Sequence, residues 1–275
     1  GDYDAPINGY YGAPQSTYSD EFVWKDGAAG PAGYKLEVMP MHAGLISSIA
    51  CGVGKQGWQD MQRLPHLSSA IALLRDGFHE QSVGGTVELN DQGMPILDYQ
   101  MSEYMLDGAR RSHHSMAEMH FAAGATKVRA GHVDASFVST LAEAKQQIDS
   151  ITYLPGYVGL GSAHVMGGCA LGNDEKLCVA DSDGRFKYLD NLYIFDGSLF
   201  PTSLGVNPQL TIYGMTAVET CSGCGGAMKV IACIEDPIVI KQILDHLKHK
   251  AETSGTRALP ESRAPPAELL LGLFD

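Results

Sequence analysis

Residues 161–171 read G-S-A-H-V-M-G-G-C-A-L, and residues 191–212 read N-L-Y-I-F-D-G-S-L-F-P-T-S-L-G-V-N-P-Q-L-T-I. In the first stretch His164 lies among glycines, which let a backbone approach a ligand closely. Histidine is the usual general base near neutral pH. In the second, Asp196-Gly197 forms an acidic turn after an almost continuous apolar run at 191–196, the pattern of a buried strand. Asn207-Pro208 then predicts a helix start, with Asn as N-cap and Pro at the first helical position. Such a helix points its free N–H groups and positive end at whatever precedes Asn207, so a group becoming anionic there is stabilised.

Working outward, residues 34–41 and 66–75 read as strands. Residues 83–99 read as a hairpin turning at Asn90-Asp91-Gln92-Gly93. A long helix is expected over 102–123, with Ser102 as N-cap and Gly124 just past its end. Met105, Ala109, Ser112, Met116, Met119 and Ala123 are its expected inner face. His113, His114 and His120 on this helix lack metal-ligand spacing and read as structural or solvated. A second helix is expected over 138–150 and a short strand over 176–180. Residues 1–33 read as an irregular segment lying along the surface. Strands and helices without strict alternation predict an α+β fold, a mixed or antiparallel sheet packed with helices. The expected divisions are 1–150, 151–220 and 221–275.

Composition narrows the function classes. The 275 residues carry a formal net charge of −13, which argues against nucleic acid and anionic membrane surfaces as partners. There is no apolar run long enough to span a bilayer. The six cysteines, in a chain without a leader, read as reduced thiols, and a cytoplasmic setting is expected. The chain begins at Gly1 rather than Met, as an excised or processed piece would.

Taken together, His164-V-M-G-G-C169, Asn191 to Pro201 and Gly205 to Ile212 resemble the C-terminal signature of the glucose–methanol–choline (GMC) oxidoreductases, flavoenzymes that oxidise alcohols with FAD. The resemblance is strongest from about residue 150 to 218. It implies that His164 accepts the alcohol proton as hydride leaves for the flavin, and that Asn207 hydrogen-bonds the substrate oxygen. It also implies that Asp196 and Gly197 contact the ribityl chain, and that Pro208 and Gln209 flank the flavin ring. The implied partners are a small alcohol substrate and an N-terminal FAD-binding half supplied separately. The Rossmann-like unit of that half has no counterpart here. Gly52-V-Gly54-K-Q-Gly57 follows no clean strand and reads as a decoy.

Residues 221–275 resemble the C-terminal tail of an insertion-sequence transposase, which raises the alternative of a non-catalytic product of a disrupted gene. Cys221 and Cys224 are weak candidates for half a zinc site, which would make 221–250 a zinc or nucleic-acid module.

Overall fold

A computed structural model describes residues 1–11, 17–49 and 53–216. The tail at 221–275, with Cys221 and Cys224, lies outside them. Its elements are β1 (Tyr18–Ser19), β2 (Tyr34–Met39), α1 (Ala43–Ile49), α2 (Gly54–Gln62), β3 (Ser69–Leu74), β4 (Gly85–Leu89), β5 (Pro95–Tyr99), α3 (Glu103–Ala122), α4 (Leu141–Ser150) and α5 (Gln209–Thr216). Two short 3₁₀ turns span Leu64–His66 and Gly197–Leu199. The fold is α+β, and both sheets are antiparallel: one has the order β1-β2-β3, the other is the β4-β5 hairpin.

The chain divides into two compact units. The first comprises Gly1–Val83, Met101–Ala163 and Ser203–Val206. In it, β2 and β3 pair from Tyr34↔Leu74 to Met39↔Ser69. Leu74 packs with Ala32, Tyr104 and Met105 against α3, and the Tyr34 hydroxyl lies 2.8 Å from Ser115 Oγ of that helix. Lys35 and Glu37, on the opposite face by the alternation of a strand, form an ion pair at 2.8 Å.

Helix α3 begins where Ser102 Oγ accepts the Met105 N–H. Its buried stripe differs from the expected one. Met105, Ala109 and Ser112 are inside, but the stripe continues through His113, Ala117 and His120, whereas Met116 and Met119 are half-buried and Ala123 is exposed. The histidines are accommodated there because each finds a partner: Nδ1 of His113 is 2.7 Å from the Tyr153 hydroxyl, and Nδ1 of His120 is 3.0 Å from that of Tyr3. His114 faces outward to Asp149 at 2.8 Å. No cluster able to hold a metal occurs among the described residues.

Helix α4 starts three residues later than expected, at a reciprocal cap. Glu143 N–H donates to Thr140 Oγ1, and Glu143 Oε2 accepts the Thr140 N–H. Its Ala144 and Ile148 join Tyr3, Ala117, Ala125 and Val128 in a core cluster. Ile148, 2% exposed, stabilises this contact by roughly 2 kcal/mol.

Two expectations are corrected in this unit. Residues 1–33 are irregular but not superficial: Asp2 bridges Leu67 and Lys127, and Tyr3, Val23 and Ala32 are buried. Helices α1 and α2 occupy a region for which the sequence suggested no element. They also settle the glycine motif at 52–57. The described residues ahead of it, Ala43–Ile49, are helical and not a strand.

The second unit comprises, of the described residues, Gly84–Gln100, His164–Thr202 and Asn207–Thr216. Its hairpin turns as expected: Asn90 Oδ1 accepts the N–H groups of Gln92 and Met94, and Gly93 has φ +74°. The expected strands at 176–180 and 191–196 do not form. Only single bridges occur, Leu171↔Ala180, Ala180↔Phe186 and Arg185↔Tyr193. The Ile194 N–H donates to the Gly184 carbonyl and the Phe186 N–H to the Leu192 carbonyl, the two bonds of the Arg185↔Tyr193 bridge, and no ladder extends beyond it because Asp196 turns the chain into the 3₁₀ segment that follows.

Candidate functional site

His164, Asp196, Gly197, Asn207, Pro208 and Gln209 all fall in the second unit. His164 is half-buried and opens the segment His164–Leu171. That segment is pinned to the 3₁₀ turn by two backbone bonds, Cys169 N–H to Ser198 O and Leu171 N–H to Leu199 O, each 3.0 Å. Leu199 is fully buried beneath. Asp196 caps the turn: its Oδ1 accepts the Ser198 N–H at 2.8 Å and the Ser198 hydroxyl at 2.5 Å. Both bonds fall on one oxygen of an exposed carboxylate.

Gly197 is the point of convergence. A Cβ built on it would lie 2.9 Å from the Val165 carbonyl oxygen, 3.7 Å from Met166 Cγ and 3.6 Å from Ile212 Cδ1. The residues after His164, the acidic turn and the helix after Asn207 therefore meet around a position with no side chain. Val165, Met166, Ser198 and Ile212 were not singled out from sequence. Their signal was only their place inside the three motifs.

Helix α5 begins at Gln209, one residue later than the expected start at Pro208. The Pro208 carbonyl accepts the first intrahelical bond, from Ile212 N–H at 2.9 Å. The N–H groups of Gln209, Leu210 and Thr211 thus lack partners within the helix. Pro208 is buried, Asn207 half-buried and Gln209 exposed, its Nε2 donating to the Tyr213 hydroxyl at 2.6 Å. Cys169 and Cys178 are free thiols, both half-buried. Among the described residues no helix is long and apolar enough to cross a membrane.

Three glycine-flanked motifs meeting at one bare backbone position are what comparison with known proteins can decide. Residues 80–216 match the GMC oxidoreductase family. An uncharacterized GMC-type oxidoreductase of Mycobacterium tuberculosis is 26% identical over 213 residues, covering 78% of this chain and 32% of that protein. A cholesterol oxidase of Acinetobacter baumannii is 47% identical over 51 residues, 18% of this chain and 9% of the oxidase. A long-chain-alcohol oxidase of Arabidopsis thaliana is 26% identical over 163 residues, 55% of this chain and 21% of that protein. The chain spans about a third of the length of the first of these GMC relatives.

Proposed function

We propose that this chain supplies the substrate-side wall of an FAD-dependent alcohol oxidoreductase and acts together with an N-terminal FAD-binding half. The observation that carries the reading is the convergence of the His164 segment, the Asp196-Gly197 turn and α5 at Gly197.

The residues fit the cofactor. The backbone at Gly197 has no side chain to hold a ligand away, and Asp196 keeps its second oxygen, Oδ2, outside its bonds with Ser198, able to accept from the ribityl hydroxyls. Bound FAD supplies the acceptor for the hydride that leaves the carbinol carbon. His164 accepts the hydroxyl proton on a ring nitrogen as that hydride departs, so a carbonyl product and a protonated imidazole result. Asn207 donates from its side-chain amide to the substrate oxygen and holds it beside His164. The open N–H groups of Gln209, Leu210 and Thr211, with the positive end of α5, stabilise negative charge developing in front of the helix. Pro208, which has no N–H, and Gln209 line the edge of the ring.

The test is flavin absorbance of the chain co-purified with an FAD-binding half. Bound flavin that bleaches anaerobically on adding an alcohol is the expected result. His164→Ala should keep the flavin and lose the bleaching. Reunited halves that hold no flavin would sink the reading, and undiminished bleaching in His164→Ala would remove the proton-acceptor role.

A further inference from the structure

A cavity of about 310 Å³ opens in the first unit, to which all of its lining residues belong. That volume is at the lower end of small-molecule sites, roughly 300–1,000 Å³. Its charged lining carries both signs: Asp2, Asp4 and Asp60 against Arg63 and Lys127.

The buried carboxylates are already matched. Asp60, 7% exposed, pairs with Arg129 Nη2 at 2.7 Å and accepts from Gln56 Nε2 at 2.9 Å. Asp2 is held by Arg63, whose Nη2 and Nε reach its two carboxylate oxygens. Its main chain is fixed as well: the Asp2 N–H donates to the Lys127 carbonyl and the Thr126 N–H to the Asp2 carbonyl, each at 2.8 Å. A desolvated charge without a partner is costly, and these pairs satisfy one another. The apolar lining comes from Leu67 and Phe137. Arg129, tied to Asp60, lies 4.6 Å from the Phe137 ring, so the same ion pair steadies that wall.

Two charges of the lining are left over. Asp4 and Lys127 are exposed and make no hydrogen bond or ion pair among the described residues, although the field of Asp4 reaches Arg63. The residual charge is therefore one anion and one cation on the wall of one small cavity. Three carboxylates oppose a phosphate or another strong anion, and Arg63 and Lys127 oppose a bare metal cation. A short molecule that carries both charges on an aliphatic body matches all three parts of the lining. We propose that this cavity binds a small zwitterion of the α-amino-acid class. Its ammonium donates to Asp4, its carboxylate accepts from Lys127, and its side chain lies against Leu67 and Phe137. The inference is independent of the alcohol-oxidation reading.

The test is an NMR titration of the ¹⁵N-labelled chain, following the amides of Gln59 and Thr126, both on the cavity wall. The probes are L-valine and its two half-charged counterparts, isobutylamine and 3-methylbutanoate. L-Valine is expected to shift both amides with a Kd below about 1 mM, a modest demand on a ligand of its size. Each counterpart should bind at least about 10-fold more weakly, the effect of losing one charge-assisted contact. Lys127→Gln should weaken L-valine about 10-fold and leave isobutylamine unchanged. Asp4→Asn should weaken L-valine to the same extent and leave 3-methylbutanoate unchanged. Both side chains are exposed, so both variants should keep the wild-type circular dichroism spectrum. Amides that do not move at about 10 mM L-valine overturn the proposal. So does equal binding of L-valine and either counterpart, or an affinity for L-valine that neither variant changes. Glycerol, inorganic phosphate or Mg²⁺ moving the same amides more strongly than L-valine would assign the cavity to another ligand class and overturn it too.

Discussion

Replacing Gly197 by alanine tests the site where its three segments meet. The new methyl would lie 2.9 Å from the Val165 carbonyl oxygen, inside normal contact, and against Met166 Cγ and Ile212 Cδ1 at ordinary distance. The oxygen is main chain and is followed by a segment tied at Cys169 and Leu171, so it cannot swing aside as a side chain would. Overpacking of this kind costs about 1–3 kcal/mol. Restricting the unfolded chain offsets about 0.4–1 kcal/mol of that. A net loss of roughly 1–2 kcal/mol corresponds to a 5- to 30-fold rise in the population of the locally open state. Native-state hydrogen exchange reads this directly at the amides of Cys169 and Leu171, whose bonds to Ser198 and Leu199 break when the segment lifts. Gly168→Ala is the control, because its Cβ would meet only Ser198 Cβ at 3.9 Å. It should leave both amides unchanged. Equal exchange in Gly197→Ala and wild type would refute the convergence, and with it the observation on which the proposed function rests.

Other outcomes follow from each unit taken by itself. Burial, reinforced by His132 and His114, lowers the His113 pKa from 6.5 to about 4. The unfolded chain therefore binds a proton that the folded chain refuses between these values. The His113 contribution to stability is full above pH 6.5, falls as pH drops through the window and levels off below about 4, a loss on the order of 3 kcal/mol. Urea midpoints at pH 7, 5.5 and 4.5 check this, and His113→Gln should make the profile shallower, leaving the slope due to His120 and the Gly1 amine, which burial also lowers. Thr140→Ala removes one half of the cap on α4 and should cost about 1 kcal/mol, a fall in Tm of roughly 2–4 °C by circular dichroism. Ser198→Ala removes the hydroxyl that shares Asp196 Oδ1. It should leave the fold intact, because the backbone N–H still caps, but alter flavin retention in the reunited protein through a freer carboxylate.

What could be read from sequence divides along physical lines. The hairpin, α3 and α4 were visible because local chemistry decides them. Asn90 closes its own turn, Ser102 caps α3, and Thr140 with Glu143 caps α4. The inner face of α3 was read correctly only as far as Ser112. Beyond it, histidines replace methionines inside, because Tyr153 and Tyr3 satisfy their ring nitrogens. Those hydroxyls come from 40 and 117 residues away, and periodicity carries no trace of such partners. The same limit explains Tyr3 and Val23, whose burial depends on strands and helices far along the chain.

The candidate site shows the opposite balance. Its residues were recognisable as motifs, yet the strand assigned to 191–196 was wrong, and that error is instructive. The run is neither buried nor paired along its length: residues 192–195 are half-buried, one bridge forms at Tyr193, and the fully buried side chain is Leu199, just beyond it. A strand would have sent alternate side chains to opposite faces and carried Asp196 away in an extended line. The loop instead turns at Asp196, closes on Ser198 and leaves Gly197 bare against Val165 and Ile212. The motif's glycine is therefore explained by a contact that regular secondary structure would not have made.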